Sequence, residues 1–395
     1  MKNKLIVMIL TFAVMIVLTP LVFSKLMNAK FNQMIKNLND KGINVKVIQD
    51  KSSYLQTDKI LSVEIPKKYL NNTFEKVNLE VEAKFKNLPV TNVLFLGNVK
   101  NVKLMPQFAK YENEINKFVK KYIKFTVITP NFKDYTYKIN DIVIKDKLNL
   151  GVKDIKGMFK YSTSLKNVLN INDIYLKQNS QFIEIKNLKS EFEGNKNKNF
   201  SKTTFNVNVD LKKFKLQVQN VYSKTNILFE KTLDLKTVFG FDELIVPNML
   251  SAKQFKNTLS LKGIKVSILE KLSNASESEK EKYYNEIFKN GFEINLDPDL
   301  KDINALGKNF GKFNLKLFVK FLPTNNYKQK LKNNNFDFVY ATLDFTTTPQ
   351  IANIIMNLYP KSAFLFVLAK KQNGVVKLNL ELKNGKLYSE GQLIK

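Results

Sequence analysis

The chain contains no cysteine, no histidine and no tryptophan, and every one of its 64 basic residues is lysine. Without cysteine there is no disulfide frame, no thiol nucleophile and no thiolate metal site. Without histidine there is no Ser–His or Cys–His dyad, and the commonest zinc and iron ligand is missing. Without arginine there is no planar fork for bidentate capture of phosphate or carboxylate. Glycine is scarce, 13 in 395 residues, and none is spaced as GxGxxG or GxxxxGK, so no phosphate-cradling loop is present. Acidic residues number 35, which leaves a formal net charge of +29. In a chain also rich in Asn, Ile and Phe, we read that charge mainly as compositional bias and solvation. Attraction to anionic lipid is the secondary reading, and the sequence speaks against nucleic acid as a partner.

Hydrophobic residues make up 44% of the chain, ample for a packed core. The most apolar segment is the uncharged run Leu5–Phe23, roughly 28 Å long as a helix and close to the hydrocarbon thickness of a bilayer. Its length favours a retained anchor. A cleaved signal peptide, with Val22 and Ser24 at the small-residue positions, is the rival reading. Lys2 and Lys4 precede the run, whereas Lys25, Lys30, Lys36 and Lys41 follow it. That count argues for a cytoplasmic body, but it weakens when a long folded domain follows, and the expected orientation is N-terminus inside.

Beyond the run, Leu26, Phe31, Met34, Ile35 and Leu38 recur at helical spacing up to Gly42, which suggests a helical stalk. Alternation then dominates, as in Leu79, Val81, Ala83 and Phe85, or Phe313, Leu315, Leu317, Val319 and Phe321. Helical periodicity returns near 106–122, 277–290 and 349–371. Ser276 with Glu279 forms a capping box, and Asn384–Gly385 signals a two-residue hairpin. The expected class is α+β: an N-terminal transmembrane helix, then a mostly antiparallel β-rich body with a few helices. The expected division is 1–24 for cytoplasmic tip and anchor, 25–42 for the stalk and 43–395 for an extracytoplasmic body, which could divide into halves near 247–275.

No motif carries catalysis. Asp297, Asp299 and Asp302 form the densest acidic cluster, but Asp302 and Lys308 stand where a calcium loop needs Gly and Glu, so DPDLKD reads as a turn. Glu112 and Glu114 sit two apart on a helix and point to different faces. The tandem lysines Lys67–Lys68, Lys120–Lys121 and Lys212–Lys213 read as solvated surface, and Gly307–Lys308–Asn309–Phe310–Gly311 as a turn. We assign no catalytic, cofactor-binding or metal-ligating residue and expect no cofactor.

The order of elements resembles the YdgA-like family of bacterial membrane-anchored proteins, whose function is poorly defined. The similarity runs nearly end to end. It comprises the anchor and stalk, the segment around 45–66, Tyr161–Ser162–Thr163–Ser164 between strands, and Glu193–Gly194 at a strand end. It continues through the helix 277–290 leading into Phe292–Glu293–Ile294–Asn295–Leu296, then Gly311–Lys312–Phe313–Asn314–Leu315 and the closing LELKNGKLYSEGQLIK. The family often carries a His-Gly-Pro-like turn in its first third, whereas Asn87–Leu88–Pro89–Val90 lacks the His and the Gly. The resemblance implies topology and a place in the inner membrane with the body in the periplasm. It implies no mechanism.

Three functions remain. The first is a non-enzymatic envelope protein, anchored in the membrane, that binds a lipid or other amphiphile on a long β surface. Its motive is Phe318, an apolar residue opposite the main stripe, so that two apolar faces could enclose acyl chains. The second is a scaffold that tethers envelope partners. The last is a carboxylate-based hydrolase, which needs two close acidic groups in a cleft.

Overall fold

The computed structural model describes residues 24–394, except 54, 71–72, 88–91, 146–147, 162–163 and 196. The apolar run Leu5–Phe23 and the Leu88–Pro89–Val90 turn therefore lie outside the described residues.

The α+β expectation is corrected; the transmembrane helix expected with it falls on Leu5–Phe23, outside the described residues. The chain is mostly one antiparallel β-sheet system, and among the described residues no helix is long and apolar enough to cross a membrane. The physical reason is the length of the alternating stretches. Strands of up to 16 residues run where loops and helices would otherwise intervene, and the helices are short pieces at strand ends. Near 106–122 a 3-10 turn over Pro106–Tyr111 precedes the α-helix. Near 349–371 the helical stretch breaks at Pro360 and ends by Val367.

Two compact units divide between Ile174 and Tyr175; residues 247–275 lie inside the second. The first unit opens with α1 (24–40). Then come β1 (Asn44–Asp50), β2 (Gln56–Pro66), β3 (Phe74–Lys86), β4 (Val93–Leu104) and α2 (Glu112–Tyr122). After them run β5 (Lys124–Thr129), β6 (Asp134–Ile139), β7 (Ile142–Ile144), β8 (Asn149–Lys153), β9 (Ile155–Tyr161) and β10 (Leu165–Gln178), where the division falls. β1 to β6 pair in sequence, β6 then pairs with β9 and β9 with β10, all antiparallel, while β7 and β8 form a hairpin.

Helix α1 does not stand free as a stalk. Its Phe31 is 0% exposed and meets Leu61, Val81, Phe85 and Phe95 on the sheet, with Met34, Ile35 and Leu38 packed alongside. The same helical spacing that marks these residues in the sequence forms the stripe that the sheet covers. Helix α2 lies over Val99, Val102 and Leu104 through Ile115 and Val119.

The second unit is a meander of β11 (Gln181–Gly194), β12 (Lys198–Leu211), β13 (Phe214–Phe229), β14 (Thr232–Val246) and β15 (Leu250–Lys265), then α3 (Val266–Asn274) and α4 (Glu277–Asn290). It continues with β16 (Phe292–Ala305), β17 (Lys308–Phe321), α5 (Tyr327–Lys332), β18 (Val339–Thr347), α6 (Pro349–Leu358) and α7 (Ala363–Val367). It closes with β19 (Lys370–Gln372), β20 (Val375–Lys383), β21 (Lys386–Ser389) and β22 (Gln392–Leu393). Lys212–Lys213 make the turn between β12 and β13, and Asn384 (φ 53°) with Gly385 (φ 71°) make the hairpin before β21.

Register sets two faces. Leu259, Leu296, Leu317, Leu343 and Leu380 stand on one line across β15, β16, β17, β18 and β20. Because successive side chains alternate, Ser260, Asn295, Phe318, Thr342 and Glu381 stand on the other. α3 and α4 pack on Leu261, Ile264 and Phe292, and α6 and α7 pack on Phe313, Phe345, Val376 and Leu378. Between these helical covers Phe239 is 40% and Leu259 37% exposed.

Candidate ligand-binding surface on the long sheet

The face opposite the leucine line holds a cavity of about 630 Å³ in the second unit, within the usual range for small-molecule sites. One register line crosses it: Asn226, Lys236, Ser260, Asn295, Phe318 and Thr342, each the direct cross-strand partner of the next. A neighbouring line contributes Thr258 opposite Asp297, and Lys316 opposite Asp344. Strand periodicity places all of these on one face, and antiparallel pairing brings residues as far apart in sequence as Asn226 and Thr342 side by side.

Elsewhere on the sheet of this unit, cross-strand charge pairs close. Lys262 reaches Asp234 at 3.3 Å at the rim of the cavity, Lys320 reaches Glu293 at 2.9 Å, Lys215 reaches Asp210 at 3.0 Å and Lys253 reaches Glu243 at 3.7 Å. Inside the cavity Lys236, Lys316, Asp297 and Asp344 make no ion pair within 4 Å among the described residues, although Lys316 and Asp344 are direct strand partners. Asn295 and Ser260 engage each other, the Asn295 amide donating to Ser260 Oγ at 3.1 Å. Two donors, two acceptors, two hydroxyls and an amide are thus presented to solvent around the half-buried ring of Phe318. That ring meets Tyr340 edge-on at a centroid distance of 6.1 Å. Desolvation, together with the Glu381 carboxylate, holds the Tyr340 phenol above its ordinary pKa.

The expectation of two apolar faces is corrected here. Phe318 does lie opposite the leucine stripe, but its neighbours are charged or hydroxylated, which suits a polar ligand with one apolar flank rather than an acyl chain.

The acidic cluster at 297–302 is also not a turn. It lies within β16, where Pro298 faces Asn257 and pairing with β17 lapses between Leu296 and Asp299. A proline without an N–H leaves that gap. Asp297 faces the cavity; Asp299 accepts from Asn314 Nδ2 at 3.2 Å, and Asp302 accepts from Asn304 Nδ2 at 3.0 Å. Among the described residues no group of three or more acidic side chains could hold a metal ion.

Glu112 accepts from the Leu104 N–H at 2.9 Å and so ties α2 to β4; Glu114 is exposed. Lys68 donates to the Lys41 carbonyl, and Lys121 lies over the Tyr122 ring at 4.9 Å. Gly307 stands in the turn before β17, whereas Gly311 lies inside that strand.

Sequence reasoning singled out Phe318 and Asp297 but missed Lys236, Lys316, Thr342 and Asp344. Alternation put each on a polar face, and only the strand register says that the faces meet. No family model, no characterised protein and no solved structure matches the chain.

Proposed function

We propose that the protein is a membrane-anchored envelope protein whose long sheet binds the polyhydroxylated, sugar-like head of an amphiphile, by recognition rather than catalysis. The observation that supports this most directly is the set of unpaired polar side chains around Phe318. An aromatic ring offers a platform to the C–H face of a sugar ring. Asp297, Asp344, Asn226, Thr258 and Thr342 match a ring of hydroxyls that both donate and accept. Lys236 and Lys316 balance the two aspartates, so the site selects neither strong anions nor strong cations. The apolar run Leu5–Phe23 supports the anchoring, and the resemblance to YdgA-like proteins supports the periplasmic side against the flanking lysine count.

Native mass spectrometry of the full chain, extracted in a neutral detergent, tests this reading. It should show a glycosylated amphiphile at near-stoichiometric occupancy. Phe318→Ala, and separately Asp297→Asn with Asp344→Asn, should lower that occupancy by at least about tenfold. A ligand retained equally by all variants would remove the cavity from consideration. Sidedness is tested with Ser278→Cys, an exposed position in a chain without native thiols. Labelling by an impermeant maleimide in cells with a permeabilised outer membrane is expected, and protection would place the body in the cytoplasm.

A second reading, tethering of an envelope partner, is favoured by the α6–α7 region. There Leu358 (69%), Tyr359 (68%), Phe364 (62%) and Val367 (83%) are exposed within ten residues of chain, more apolar surface than isolated exposed residues account for. A photocrosslinker at Phe364 should then capture one discrete protein. Absence of any adduct would leave the ligand-binding reading alone.

A further inference from the structure

A second cavity, of about 740 Å³, lies in the first unit between α1 and the β5–β6 loop. Its apolar wall is Met34, Leu38, Phe132 and Tyr135, and its charged groups are Lys30, Lys41 and Lys133. Among the described residues no carboxylate lines it. The contrast with the Phe318 cavity, where aspartates match the lysines, is chemical: this one offers positive charge beside an apolar surface.

The loop that closes it is held rigidly. Phe132 has φ 58°, a left-handed conformation that costs a non-glycine residue energy and persists only where its surroundings fix it. Here Thr129 Oγ1 accepts from the Phe132 N–H at 2.8 Å, and the Tyr135 hydroxyl donates to the Phe132 carbonyl at 2.7 Å. Asn131 Oδ1 accepts from the Lys133 N–H at 2.9 Å and the Asp134 N–H at 2.8 Å. The bracing holds the Phe132 ring in the apolar wall and keeps Lys133 in the lining of the cavity.

We infer that this cavity binds one anionic phospholipid of the phosphatidylglycerol class, drawn from the bilayer. The lysines take the phosphate, and Met34, Leu38, Phe132 and Tyr135 take the adjoining part of the acyl chains. Charge complementarity selects an anion, and the apolar wall selects one with a hydrocarbon tail. The bilayer as source rests on the membrane anchoring proposed above. Lys30 lies about 9 Å along the helix from Ser24, which directly follows the apolar run Leu5–Phe23. The site shares no residue with the Phe318 cavity, so the two assignments stand or fall separately.

The chain has no tryptophan, so Met34→Trp creates a single reporter in the full chain, studied in micelles of a neutral detergent. Dioctanoyl phosphatidylglycerol should shift its emission saturably, at a concentration at least about tenfold lower than dioctanoyl phosphatidylcholine. Adding Lys30→Gln with Lys133→Gln should raise the phosphatidylglycerol midpoint at least about fivefold and leave phosphatidylcholine unchanged. Gln33→Trp, at an exposed position that lines the same cavity, serves as an independent reporter should Met34→Trp disturb the wall. Equal midpoints for the two lipids, or no effect of removing the lysines, would overturn the inference. If glycerol phosphate alone saturates the site as well as the lipid does, the occupant is a free anion and the lipid assignment falls.

Discussion

Two buried side chains show how single residues set the behaviour of each unit. Phe31 is wholly buried, with ring centroids 6.1 Å from Phe85 and 6.4 Å from Phe95. Removing such a ring from a packed core costs about 3–5 kcal/mol. Phe31→Ala is expected to release α1 from the sheet and to remove hydrogen-exchange protection from β2, β3 and β4. A free-standing stalk would lose none. The second is Glu184, 7% exposed, with Lys186 at 3.0 Å and Lys177 at 3.6 Å. Burial works to raise its pKa, but the two ammonium groups and Asn208 outweigh burial and hold it below the ordinary 4.5. A carboxylate depressed in the folded state contributes stability above the unfolded pKa and loses it as pH falls through the folded one. Thermal stability should therefore drop on acidification below about pH 4.5, and Glu184→Gln should flatten that part of the profile while lowering stability at neutral pH. An unchanged acid limb would mean that other carboxylates dominate it.

At the scale of elements, what was legible depended on whether the signal was local. Ser276 and Glu279 form a box that a four-residue window contains, and the structure closes it. The Ser276 N–H donates to Glu279 Oε2 at 3.0 Å and the Ser276 hydroxyl at 2.7 Å. Ser276→Ala should cost about 1 kcal/mol, read as a lower denaturant midpoint; no change would show that α4 is held by Ile287 and Tyr283 packing alone. The Asn384–Gly385 turn is equally local. Pro298 shows the opposite case. Proline in a central strand breaks the expectation that it sits at edges or turns, and DPDLKD reads as a turn for that reason. Yet β15 and β17 hold the segment extended, with the ladder simply lapsing at the missing N–H. The bulges are also tertiary in origin. Asn187, Asn220 and Gln254 take φ 55°, 48° and 54°, and the ladder shifts beside the first two, at Lys186–Lys189 and across from Phe205–Val207. Such shifts re-aim side chains between faces, which no single-strand alternation reveals.

For the whole molecule, the net charge of +29 and the two cavities make different demands. Sixty-four lysines attract any polyanion as point charges, an effect that screening shortens from roughly 10 Å at 0.1 M salt to roughly 3 Å at 1 M. The leucine face and its opposite are invisible in composition; they arise because strands of similar length stack in register. The Phe318 cavity gathers Asp234, Asp297 and Asp344 with Lys236, Lys262 and Lys316, so its own field nearly cancels, whatever the charge of the rest. Binding there should then rest on hydrogen bonds and ring contact, which salt hardly alters. We expect affinity for the sugar-like ligand to change less than about threefold between 0.05 and 1 M salt, while adhesion of the same protein to anionic vesicles falls by at least about tenfold. Titration of both across that range separates local recognition from global attraction. If the two affinities fall together, the ligand is held by the bulk charge of the chain and the balanced cavity has no part in it.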